Sequence, residues 1–462
     1  MRWDRRNFLK TVAAASVGFR LVGTSWATPL FSPPDSPGTT AGEDLLEELE
    51  RSAFEFFWNE ADPATGLVRD RANANGVDAR LTSSIAATGF GLTALSIGHE
   101  RKYRPPAEIA ERVRSSLHFL AYDAPHVNGF LYHFVDMRNG NRSWFSEISP
   151  IDMAILLCGV LSCRAHFSDA EIRDAATTIY HRVEWPWALN GADTFAMHWT
   201  PELEFSPRRW GYYCESVILY LLAIGSPSHP IPAESWRAIR RPYMVYEDYR
   251  YISVSAPLFI HQYPHAWFDF RGKQDGYADY FENSVIACRA HRRFCEQLSS
   301  EFPCYSSKVW GITASDSDRG YVVWGGPPLQ GPIDGTIVPA ASAGSLPFLY
   351  NESLDVLRNL ETDYGKQIRK RYGFVDAFNP LTGWASSDVI GIDVGISMLM
   401  AENARTAFVW NTFMQNPEAR AAMELAGFRT IVASPRHPSH DSLQFDDRQP
   451  LGWESEDEFS VL

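Results

Sequence analysis

Residues 151–160 read I-D-M-A-I-L-L-C-G-V. Wound as a helix, this stretch is apolar on every side, with one carboxylate near its start. Two others share the pattern: residues 217–224 read V-I-L-Y-L-L-A-I, and residues 392–401 read I-D-V-G-I-S-M-L-M-A. Helices of this kind must be covered all round. At about 10–14 residues they fall short of the ~20 that a membrane span requires. A carboxylate at the start of a buried helix fits a helix that points at a site.

Between them lie helices of a second kind. In residues 107–121, Ile109, Ala110, Val113, Leu117 and Leu120 recur at helical spacing, with Glu108, Glu111, Arg112 and Arg114 between them. Residues 169–183 and 354–364 follow the same rule. Helical segments are predicted at 43–60, 82–98, 105–122, 146–167, 169–184, 211–225, 232–240, 274–300, 335–349, 350–363, 393–414 and 415–426. Buried and amphipathic segments alternate. Six helical hairpins with a buried inner ring and an amphipathic outer ring make an all-α (α/α)6 toroid. Its site is expected where long loops (123–145, 185–210, 241–273, 301–334 and 372–392) lead into the inner helices. Short strands are expected at 245–260 and 320–325.

The predicted catalytic domain runs from 43 to 430, followed by a tail at 431–462. Ahead of it, Arg5-Arg6-Asn7-Phe8-Leu9-Lys10 resembles a twin-arginine export motif. A mildly apolar run and Ser25-Trp26-Ala27 complete a signal peptide of residues 1–27. Residues 28–42 read as a flexible lead. The protein is therefore expected in the periplasm or outside the cell. Of the six cysteines, none forms a CxxC pair or a zinc spacing, and Cys158, Cys163 and Cys214 read as small buried hydrophobes.

A net charge of −14, with no basic stripe, disfavours nucleic acid and anionic membrane surfaces. A neutral glycan is compatible, and the 13% aromatic share suits one, because flat rings pack against sugar C–H faces. No P-loop, no GxGxxG after a strand and no GxSxG elbow occurs. No cofactor is expected.

Splitting a glycosidic bond takes two carboxyl groups. Glu215 follows Trp210-Gly211-Tyr212-Tyr213-Cys214 at the start of an apolar run. Surrounding rings would raise its pKa, as a general acid requires, while a helix N-terminus would lower it. Glu147 and Asp152 flank Ser149-Pro150, a helix cap followed by a first-turn proline. Asp393 opens the third buried helix between Gly391 and Gly395, and Asp376 lies in the loop before it. Catalytic candidates are thus Glu215, Asp393 and Asp152. Substrate-binding candidates are Glu147, Trp210, Tyr213, Gln262, His265, Trp267, Trp324, Asp376 and Trp384. His261 and His265 are four apart, but Pro264 between them spoils a helical metal site, so no metal is expected. Glu402 and Arg405 are expected to form an internal ion pair.

Taken in order, SEISPIDMAILLCGVL, WGYYCESVILYLLAIGSPSHPI, HQYPHAWFDFRGK, GITASDS, GFVDAFNPLTGW and IGIDVGISMLMAENARTAFVW resemble the glucoamylase-like family. That family includes endo-β-1,2-glucanases and the transglycosylating module of cyclic β-1,2-glucan synthases. The resemblance spans about residues 43–430. It implies an (α/α)6 fold and action on β-linked glucan, often β-1,2-linked. It further implies Glu215 as general acid, Asp393 as a candidate base and Asp152 at a position often acidic. This chain has Val394-Gly395-Ile396 where the glucanases favour Gln-Gly-Pro. Transglycosylation on the same carboxylates, and glycan binding without turnover, are the alternative readings.

Overall fold

The computed structural model describes residues 40–254, 256–328 and 331–431. The predicted signal peptide, most of the flexible lead and nearly all of the tail lie outside the described residues. The first stretch to read as buried on all sides is so: Pro150–His166 is covered without a break from Pro150 to Cys163 except at Asp152. Ile85–Arg101 is covered from Ile85 to Gly98. The two helices touch through glycines. A Cβ on Gly159 would lie 2.1 Å from the carbonyl oxygen of Gly89, so any side chain there would force them apart.

Six inner elements follow in chain order: Ile85–Arg101, Pro150–His166, Val217–Ile224, the 3-10 turns Leu258–His261 and Tyr263–His265, Pro339–Ala343, and Gly391–Thr406. Around them run the amphipathic helices Thr40–Asn59, Pro106–His118, Ala170–His181, Tyr280–Leu298 and Tyr350–Asn359. Pro417–Leu425, from the end of the described chain, fills the last outer place against Val217–Ile224. The architecture is the expected all-α toroid. The fourth inner place corrects the sequence reading: residues 258–266 had no helical periodicity and were expected as loop. Pro264 and the crowding of aromatic rings favour tight 3-10 turns there instead.

The long loops are laced together at the end where the inner helices begin. Arg71–Asn73 pairs antiparallel with Asp388–Ile390, and Thr82–Ser84 pairs with Phe134–Asp136. Ile148 bridges to Trp199, and Ile337 to Phe378. Strands are otherwise minor: Tyr243–Tyr246 with Tyr249–Ile252, and Ser315–Ser317 with Gly320–Val322, match the two places expected for them. This lacing fixes loop residues against one another, and so fixes the side chains they carry over the inner ring.

Two local expectations change. The apolar helix predicted from 211 begins at Val217, so Glu215 sits in the turn before it. The Glu402–Arg405 pair is replaced by a wider cluster: Glu402 bonds Arg101 at 2.7 Å, and Arg405 reaches Glu50 at 2.7 Å, Glu43 at 3.1 Å and Glu47 at 3.2 Å. The Thr40–Asn59 helix supplies three acids that sequence spacing could not bring near. All six cysteines are free, and all but Cys304 are buried.

Candidate functional site

Two groups of carboxylates lie in the first turns of inner helices and on the loops that lead into them. The first is built on the Pro150–His166 helix. Ser149 caps it by accepting from the Asp152 backbone at 3.5 Å, and Pro150 occupies the first turn, as the sequence implied. Asp152 therefore leaves the helix in its first turn. His133, on the loop before it, places Nδ1 2.8 Å from Glu147 and Nε2 3.4 Å from Asp152. Burial opposes the charged imidazolium, but the two carboxylates outweigh it and raise the His133 pKa to about 9. At neutral pH this group is a cation held between two anions. Burial raises Asp152 and His133 draws it back.

Glu215 stands beside this group. Its backbone carbonyl accepts from Ile218 at 3.3 Å, opening the Val217–Ile224 helix. The residue is 6% exposed. Burial, aided by the nearby Asp152 charge, raises its pKa to about 7. Desolvation outweighs the pull of its own backbone N–H and of the Cys214 thiol, and so decides the conflict that sequence left open.

The second group gathers on other loops. Asp393 opens the Gly391–Thr406 helix, and Gly391 N–H donates to the Asp70 carbonyl at 2.7 Å, locking the helix start to the neighbouring loop. Gly395 serves packing: a Cβ there would meet the Phe90 ring at 2.4 Å. Asp376 and Asp393 are electrostatic neighbours: burial pushes both above the usual carboxylate range, aided at Asp376 by the Asp393 charge and at both by Asp316. The two titrate as a coupled pair rather than as separate groups. Asp376 Oδ2 also accepts the Asp316 backbone N–H at 2.7 Å. Arg71 bonds Asp316 at 2.8 Å and Asp70 at 3.0 Å, and Ser386 donates to Asp316 at 3.3 Å.

Tyr263 joins the two groups. Its ring packs on Phe90 and Phe259, and its hydroxyl lies in the field of Asp393, Glu215 and Asp152 together. Tyr321, 42% exposed, lies in the charge field of Asp393 and Asp376. Tyr263 thus links Glu215 and Asp152, with Glu147 joined to Asp152 through His133, to Asp393 and its neighbour Asp376.

Other sequence candidates are placed elsewhere. Gln262 donates to the Ala341 carbonyl and to Ser345, His265 bonds Ser284, and Trp267 donates to Thr93 at 2.9 Å; none is more than 1% exposed. Tyr213 stacks on Tyr280 at 5.4 Å. These four buttress the floor, and the structure does not join them to either group. Trp210 and Trp324 are buried with their indole N–H groups on Met197 and Ser315, and Trp384 is half-buried in a two-stranded turn with Asn379. His261 bonds Ser253.

His133, Asp316, Arg71 and Tyr263 were missed as site residues. Asp316 and Tyr263 sit inside segments singled out in the sequence, but neither has a spacing relative to the other acids. Carboxylates in two linked groups, with pKa values raised by burial in each, are suited to acid–base chemistry.

Residues 207–417 match the Glycoamylase family model, described as "Putative glucoamylase". Over that span the chain is similar to the glucoamylase-like family. It is 26% identical over 422 residues to an exo β-1,2-glucooligosaccharide sophorohydrolase acting at the non-reducing end, from Parabacteroides distasonis. That alignment covers 83% of this chain but 57% of the relative, so the chain spans little more than half the length of that protein. Among solved structures, an endo-β-1,2-glucanase from Chitinophaga pinensis, in complex with sophorotriose and glucose, superposes with a TM-score of 0.78 at 26% identity. The match covers 84% of this chain and 98% of that one. A β-1,2-glucanase from Parabacteroides distasonis gives 0.77 at 25% identity, covering 84% and 60%. The matched span 207–417 contains Glu215, Asp316, Asp376 and Asp393; His133, Glu147 and Asp152 lie ahead of it.

Proposed function

We propose that this protein is an exported glycoside hydrolase that cleaves a neutral β-glucan, β-1,2-linked. The observation that carries the reading is Glu215: a carboxyl whose pKa burial raises to about 7, in the charge field that Tyr263 shares with Asp152 and Asp393. Glu215 donates its proton to the leaving glycosidic oxygen. Asp393 serves as the second carboxylate, with Asp376 coupled to it. Glycosidic cleavage needs one carboxyl to give a proton and a second to act as base or nucleophile.

The supporting residues keep these roles apart. The His133 cation stabilises Asp152 as the anion, and that charge disfavours ionising Glu215. Arg71 neutralises Asp316 and Asp70 beside the Asp376–Asp393 pair. Glu147 and Tyr321 are the side chains we assign to sugar hydroxyls. The β-1,2 linkage is supported by the three β-1,2-glucan-acting relatives. Domain limits of 43–430 for the catalytic unit, with a cleaved signal at 1–27, complete the proposal.

The test is incubation of the mature protein with a panel of α- and β-glucans, followed by product chromatography. Release of β-1,2-linked gluco-oligosaccharides is expected. Cleavage of an α-glucan with β-1,2-glucan left intact would refute the substrate assignment.

A further inference from the structure

Trp144 and Phe145 are neighbours on the loop that carries Glu147, and they are 70% and 83% exposed. Two adjacent large rings so open to water are unusual on a protein surface and mark a place where something binds. Trp144 also holds a left-handed backbone conformation, φ +51°, which a bulky residue adopts only when its surroundings impose it.

The surroundings do impose it. Ser143 N–H donates to the Phe134 carbonyl at 3.0 Å, and the Phe134 N–H donates to Ser146 Oγ at 2.9 Å. Arg142 donates to the Ser146 carbonyl at 2.5 Å, pairs with Glu202 at 2.6 Å and lies over the Tyr132 ring. The loop is thus pinned at both ends of the pair of rings, and the display of Trp144 is built in.

The pair of rings is continuous with the carboxylates. The Trp144 ring packs on Phe134 with centroids 5.7 Å apart, Phe134 stacks on His133 at 3.8 Å, and His133 bonds Glu147 and Asp152. The charges near the loop are spent on each other, Arg142 on Glu202 and Arg138 on Asp136. With those charges paired, the two exposed rings offer apolar faces of the kind a neutral pyranose stacks on.

We propose that Trp144 and Phe145 form an outlying platform that binds the glucan chain beyond the cleavage point, a role that rests on the β-glucan hydrolase reading. The platform favours long chains over short ones, because only a long chain reaches it while seated across the carboxylates.

The test compares wild type with Trp144→Ala, Phe145→Ala and Trp144→Phe on long β-1,2-glucan and on the shortest oligosaccharide cleaved. Trp144→Ala should raise KM on the long chain about tenfold relative to the short one, the loss of one stacked ring. Trp144→Phe should restore most of it. An unchanged ratio of the two KM values would overturn the platform. Should wild type cleave no glucan, the hydrolase reading fails separately. Mobility in a β-1,2-glucan gel then decides: retardation relieved by Trp144→Ala supports the platform, and no retardation overturns it. Sedimentation covers the remaining case, since a wild-type dimer split by Trp144→Ala would assign these rings to a second copy instead.

Discussion

His133 places Nε2 3.4 Å from Asp152 Oδ1 while its other ring nitrogen is committed to Glu147. The contact links a loop cation to a helix-borne anion, and through that anion to Glu215. Replacing His133 by Gln removes the cation. Asp152 then binds a proton more readily, and its charge no longer presses on Glu215. The Glu215 pKa should fall below about 7, and the alkaline limb of the kcat/KM profile should move to lower pH. A pH–rate profile of His133→Gln checks this. An alkaline limb left in place would disconnect His133 from the acid.

Glu215 carries a stability cost with a definite sign. Its folded pKa of about 7 lies above the ordinary 4.5, so folding favours the protonated form. The cost is absent below about pH 4.5 and grows until pH passes about 7. Glu215→Gln cannot ionise and escapes it. At pH 8 the variant should be more stable than wild type by about 1–3 kcal/mol, with the gain vanishing near pH 4. Denaturant melts at the two pH values measure the difference.

Asp376 and Asp393 are predicted to respond differently to the same substitution. Asp376 acts as the neighbour of Asp393 and accepts the Asp316 backbone N–H, which an Asn side chain still does. Asp376→Asn should keep more than about a tenth of wild-type kcat, whereas Asp393→Asn should lose about a hundredfold or more. Equal losses would mean that Asp376 does more than hold its neighbour.

The export proposal has its own check. N-terminal sequencing of periplasmic or secreted protein should begin near Thr28. Exported material that still starts at Met1 or Arg2 would contradict it.

The toroid was legible in sequence because its inner helices are apolar all round and its outer ones are not. Pro150–His166, Val217–Ile224 and Gly391–Thr406 betray themselves by lacking an exposed face. The fourth inner element left no such trace, since two 3-10 turns around Pro264 have no helical period to read. At the site, acids at helix starts were visible: Asp152 behind its Ser149-Pro150 cap, Asp393 between glycines, and Glu215 before an apolar run. Their partners were not. His133 meets Asp152 because Thr82–Ser84 and Phe134–Asp136 pair, and Arg71 reaches Asp316 across 245 residues of chain. Long-range loop lacing sets such contacts, and local spacing carries no record of it. Aromatic density also misled, because Trp267, Gln262 and His265 lie in a polar–aromatic segment that the fold spends on its own floor.

The central claim is that Glu215 supplies the proton for cleaving a β-1,2-glucan, and the most direct measurement is steady-state hydrolysis of that glucan by Glu215→Gln. Gln preserves the shape of the side chain and its hydrogen-bonding reach but has no proton to give to a leaving oxygen. General acid help is worth about 10²–10⁴ in rate, so kcat should fall more than about a hundredfold with KM little changed. A variant that keeps more than about a tenth of wild-type kcat would contradict the assignment of Glu215 as the acid.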